Sequence, residues 1–156
     1  MRARLAGFQE VPAISTPGGG DFSADLSADG LTLTWTLTYA GLKGNSGEGG
    51  AVTGAHVHLG QRGVAGGVAI HLCGGGGGTE ACPAPPATLT GTATADGVVG
   101  PAGQGLAAGQ LADLVAAMRA GVTYVNVHTT QFPSGEIRGQ LRASHQDDDE
   151  HERDDD

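Results

Sequence analysis

Apolar and polar residues alternate along most of this chain in short runs, and Gly, Pro, Asp and Ser separate one run from the next. Phe22, Ala24 and Leu26 stand at a period of two ahead of an Asp-Gly pair, which predicts a strand and a hairpin turn. Leu31, Leu33, Trp35, Leu37 and Tyr39, interleaved with threonines, predict a strand over 31–39. Further strands are expected at 55–59 (AHVHL), 68–72 (VAIHL), 87–96 (ATLTGTATAD), 122–130 (VTYVNVHTT) and 135–143 (GEIRGQLRA). A different spacing marks 109–121, where Leu111, Leu114, Val115 and Met118 recur three and four apart and Gly121 comes next as a stop. This segment predicts a helix.

Many short strands, 29 glycines and a single helix point to one all-β domain, a Greek-key or immunoglobulin-like sandwich or barrel with one short helix. A chain of 156 residues suits one core. The net charge of −9 changes that picture at one end only. Residues 145–156 hold eight of the 17 acidic side chains and one of the eight basic ones, leaving nine acidic against seven basic elsewhere. The domain is therefore expected over 1–143, and 144–156 as a disordered acidic tail that aids solubility, with His145 and His151 at most loose cation scavengers. No basic patch argues for nucleic acid. No apolar run approaches the length of a membrane span. Cys73 and Cys82 bracket a glycine-rich loop. A disulfide that places the protein outside a reducing cytoplasm, secreted or periplasmic, is expected, two buried thiols being the alternative. The start, MRARLAGFQEVP, reads as a domain start from which a leader has been removed.

Alternation also assigns faces, because successive strand residues point to opposite sides. With Ala55, Val57 and Leu59 turned to the core, His56 and His58 share the other face. Val68, Ile70 and Leu72 inward put His71 outward, and Val125 and Val127 inward do the same for Tyr124, Asn126 and His128. Four histidines from three strands are thus expected on non-core faces, where neutral imidazoles suit copper or zinc if the strands are neighbours. A solvated strand histidine is the alternative for each. Glu136, Arg138 and Gln140 are expected outward too. Arg138 beside such a site would draw a small anion, or else pair at the surface with Glu136 or a tail carboxylate. Asn126, Glu136 and Gln140 are candidates for orienting the rings, or plain solvated residues.

Three stretches, FQEVPAISTPGGG, GAHVHLGQRGVAGGVAIHL and LRAGVTYVNVHTTQFPSGEIRGQL, together resemble the CHRD domain, named from chordin and common in bacterial secreted proteins. The resemblance spans residues 4–142 and implies a β-sandwich. His71, where the family runs through apolar residues, and the CGGGGGTEAC insertion depart from its usual pattern. A looser likeness is to the copper and zinc superoxide dismutases. It implies copper held by His56, His58 and His128 with His71 added, Arg138 as the guide for superoxide, and a disulfide pinning the loop. The loop at 73–87 has none of the further histidines or the aspartate that the zinc half of such a site needs, so copper is implied ahead of zinc or iron. Two functions are expected on these grounds: a secreted copper-only dismutase-like enzyme acting on a small anion, with a homodimer allowed, or a non-catalytic CHRD module that binds a metal, a polysaccharide or a protein partner. No hydrolase motif is present.

Overall fold

The computed structural model describes residues 1–45, 51–76 and 79–143. The expected acidic tail lies outside the described residues. Among those described the chain forms eight strands: β1 (Arg2–Ala6), β2 (Gly19–Leu26), β3 (Leu33–Ala40), β4 (Val52–Leu59), β5 (Val68–Gly74), β6 (Ala87–Ala93), β7 (Thr123–Thr129) and β8 (Ile137–Gln140). One α-helix, α1 (Leu111–Arg119), joins them. The sheet runs β5-β4-β7-β8-β1-β2-β3-β6 with every pair antiparallel, curled into a nearly closed barrel or sandwich.

The gap between the two outer strands is bridged by chain rather than by a ninth strand. After β6 the backbone passes beside β5, and Val99 N–H donates to Ala69 O at 2.9 Å. The β5–β6 connection is held by the Cys73–Cys82 disulfide and by the Tyr39 hydroxyl, which donates to Pro83 O at 2.6 Å. Such a bond suits an oxidising compartment.

Inward residues of every strand meet in one core that includes Leu5, Phe22, Leu33, Leu37, Val57 and Val125. Helix α1 adds Leu111, Leu114, Val115 and Met118 to it, as its spacing predicts. Each such side chain contributes roughly 1.5–3 kcal/mol on burial. The helix ends because Gly121 adopts φ +71°, so that Gly121 N–H reaches Met118 O and Val122 N–H reaches Ala117 O, both at 3.1 Å.

Two differences from the alternation pattern matter. Strand β3 begins at Leu33, since Leu31 sits 65% exposed in the preceding turn, where its N–H donates to the carboxylate of Asp29. More important for function, the non-core face of β4, β7 and β8 is not open to solvent. His56, His58, Tyr124, Asn126 and Arg138 are all buried there under the connecting loops.

Candidate metal centre

Strand β4 lies between β5 and β7, and this placement gathers the histidines. Opposite His56 stand His71 on β5 and Asn126 on β7; opposite His58 stands Tyr124, and opposite Gly54 stands His128. The β4–β5 register slips between Ala55 and His56 and again between Val57 and His58. The first slip leaves Leu72 without a partner on β4, and so turns His71 onto the face of His56 instead of into the core. The His56 ring lies 4.8 Å from that of His71, 4.9 Å from that of His128 and 5.5 Å from that of His58.

Backbone carbonyls set the ring orientations. His58 donates its Nδ1–H to Gly66 O and His128 donates its Nδ1–H to Pro133 O, each at 2.9 Å. Both rings therefore turn an Nε2 lone pair inward, because a carbonyl accepts only from an N–H. His56 Nδ1 approaches His128 Nε2 at 3.1 Å. One nitrogen from each of His56, His58 and His128 lies within 4.8 Å of the others, so the three can hold a metal ion. His71 falls outside that group but presents a buried, unpartnered Nδ1 beside it, and the Nε2 atoms of His56 and His58 are likewise buried and unpartnered. Buried nitrogens without partners are costly unless something completes them.

Burial also fixes the charge state. His56, 8% exposed, is pushed down to about 3 by burial first and then by His128, His58 and His71. His58, 7% exposed, falls to about 4, again mainly through burial, with Gly66 O opposing the shift. Burial lowers His128 as well. The rings are neutral at pH 7, the state that ligates metal.

Around them is a shell of aromatic and polar groups. Tyr124 stacks on His58 with centroids 4.8 Å apart and planes 5° apart, and its hydroxyl accepts Gly66 N–H at 3.0 Å. On the other side of Tyr124 the Arg138 guanidinium lies 3.4 Å from the ring centroid. Arg138 is 2% exposed and donates to Gln61 O and Val64 O at 3.1 and 2.9 Å, so it ties the 60–67 loop over the site. Gln140 fastens the same loop by donating to Gly60 O and to Gly121 O, both at 2.9 Å. Gly75 has no side chain to collide with, and a Cβ there would reach within 2.5 Å of His56 Nε2.

Glu136 is placed apart from the rings. It is fully buried and accepts from Thr16 Oγ1, Lys43 N–H, Gly44 N–H and Thr129 Oγ1 at 2.5–2.9 Å, which joins the start of β8 to two turns. Its expected position on the histidine face gives way to this carboxylate hub, because it precedes β8 and escapes the strand's alternation. Glu10 is a group the sequence did not single out. It is 7% exposed, its Oε1 is buried without a partner, and burial raises it to about 7 against the opposing pull of Arg138 and Asn126. Glu10 and Asn126 meet across Gly135, whose φ is +125° and where a Cβ would run into Glu10 Oε1 and Asn126 Nδ2.

The family model of the CHRD domain matches residues 1–141. The chain belongs to the CHRD domain family. No curated protein and no solved structure matches it, so the looser likeness to the dismutases finds no support there. For this CHRD domain the histidine group stands on its own geometry. Among the described residues no helix is long and apolar enough to cross a membrane.

Proposed function

We propose that this protein is an extracytoplasmic CHRD module that binds one copper ion through His56, His58 and His128, with His71 as an additional donor. The observation that carries the proposal is the convergence of three neutral imidazoles, two buried and that of His128 half-buried, whose nitrogens lie within 4.8 Å. Two of them are held in the ligating tautomer by backbone carbonyls. An all-nitrogen donor set favours copper over zinc and iron, following the usual order of divalent affinities. The disulfide supports a location outside the cytoplasm.

Copper would supply one-electron chemistry, and superoxide dismutation is the second reading. It requires a cation free to gather the anion at the metal, whereas Arg138 is buried and committed to Gln61, Val64 and Tyr124. Arg138 is therefore assigned to positioning Tyr124 and the loop, and binding is preferred to turnover.

Titration of metal-stripped protein with Cu²⁺ and Zn²⁺, followed by calorimetry and copper absorption, tests the proposal. One equivalent of Cu²⁺ should bind, and His58→Ala should weaken it at least about a hundredfold. His71→Ala should weaken it less. Wild-type protein that takes up no copper, or His58→Ala protein that stays folded and binds it equally well, would overturn the assignment. Superoxide removal by the loaded protein, lost in Arg138→Met with copper retained, would restore the dismutase reading.

A further inference from the structure

Four arginines on and around β1, next to β8, form a second polar feature that the metal centre does not use. Arg2 and Arg4 share the outer face of β1, Arg142 comes after β8, and Arg62 belongs to the 60–67 loop. All four are exposed and line one open groove of about 740 Å³. Arg2 and Arg142 exchange backbone hydrogen bonds, Arg2 N–H to Arg142 O at 2.9 Å and Arg142 N–H to Arg2 O at 3.0 Å. Their side chains therefore leave the sheet side by side on one face. Like charges directly opposite one another destabilise a sheet. None of the four guanidinium groups makes a side-chain hydrogen bond or ion pair among the described residues, and Asp21 is the groove's one carboxylate. In a chain of net charge −9, gathering four of its eight basic side chains here is a local reversal of sign.

We propose that this groove binds an acidic polysaccharide, a polymer whose sugar rings carry carboxylate or sulfate groups. Guanidinium forks donate to the two oxygens of such groups in parallel hydrogen bonds. The floor supplies neutral partners for ring hydroxyls in Ser23, Thr36, Thr38 and Gln9. The other polyanions fit less well. A peptide adding to the sheet needs an unpaired strand edge, and β1 and β2 are paired on both sides. Single-stranded nucleic acid needs aromatic platforms, and the groove's aromatic residue, Phe22, is turned into the core.

The test uses the full chain in affinity electrophoresis and calorimetry with polygalacturonate and dextran sulfate, with neutral dextran and polyglutamate for comparison. An acidic polysaccharide should retard the protein and neutral dextran should not, and retention should fall as salt rises. Arg142→Gln should weaken binding severalfold, and Arg2→Gln with Arg142→Gln at least about tenfold. Arg119→Gln, an exposed change of the same charge on α1, should leave binding unaltered. Copper uptake and thermal melting should match wild type throughout, which separates failure here from failure of the metal proposal. Absence of retention, equal loss in Arg119→Gln, or binding to polyglutamate as tight as to the polysaccharides would overturn the inference.

Discussion

Strands β3 and β4 obey the same alternation yet present opposite second faces. On β3 the threonines between the buried Leu33, Trp35, Leu37 and Tyr39 remain at least partly open to solvent, in register with Thr92, Thr90 and Thr88 of β6. On β4 the residues flanking Val57 are histidines, almost as buried as the core residues themselves. The connecting loops account for the contrast. Beside β4 and β7 the 60–67 and 132–135 connections fold back, and their carbonyls receive His58 and His128. Nothing comparable covers the threonines of β3 and β6 among the described residues. A barrel wall can thus carry a solvated polar face on one side of its circumference and a dry polar layer on the other. The dry layer is where chemistry can be arranged, because hydrogen bonds and charges act more strongly away from water.

The comparison is broken most severely by removing a buried polar hub. Glu136→Ala would leave Thr16, Thr129 and the N–H groups of Lys43 and Gly44 without their acceptor. A loss of about 3–5 kcal/mol is expected in urea unfolding. A loss below about 1 kcal/mol would mean that water replaces the carboxylate and that this region is not dry.

Titration sharpens the same contrast with a smaller effect. In metal-free protein His56 and His58 hold fewer protons folded than unfolded, since both are depressed below 6.5. They leave stability untouched at high pH and erode it as pH falls below about 6.5, down to about 4 for His58 and about 3 for His56. Glu10 acts in the opposite sense. Raised from 4.5 to about 7, it holds more protons folded, so its burial becomes less costly as pH falls through that window. Glu10→Gln removes the opposing slope. The variant should be more stable than wild type at pH 8 and should lose stability faster on acidification between pH 7 and 4.5, by about 1.4 kcal/mol per pH unit. Parallel stability curves for the two proteins would show that Glu10 is hydrated.

Legibility in the sequence divides along the same line. Core faces came from alternation at Trp35, Val57 and Val125, and the helix from the spacing of Leu111, Leu114, Val115 and Met118, because both patterns report directly which side chains leave water. His56, His58 and His128 were found together by the same rule. It could not say that the opposite face would be covered, since coverage depends on how glycine-rich connections return over the sheet. Nor could it see the register slip opposite Leu72, a pairing property of two strands that neither strand encodes alone. Glu10 gave no signal because a lone carboxylate in a turn is ordinarily solvated. Glu136 was misplaced because strand parity was extended one residue beyond the strand. Arg138 was expected either to draw an anion or to pair at the surface with a carboxylate, but its length lets it lie across Tyr124 and grip a loop.

The mildest change probes the open side. Thr36 and Thr90 stand directly opposite one another on β3 and β6, and replacing both with valine retains the branched shape that strands favour while removing two hydroxyls. If water already satisfies those hydroxyls, no buried partner is lost, and unfolding free energy should change by less than about 0.5 kcal/mol. Strand β6 pairs only with β3 and forms one end of the sheet, so added apolar surface there should instead favour self-association, measurable by sedimentation. A destabilisation of about 2 kcal/mol or more, with the protein still monomeric, would mean that the threonines serve a covered layer like that of the histidines. The two parts of the wall would then differ in residue chemistry alone, not in their access to water.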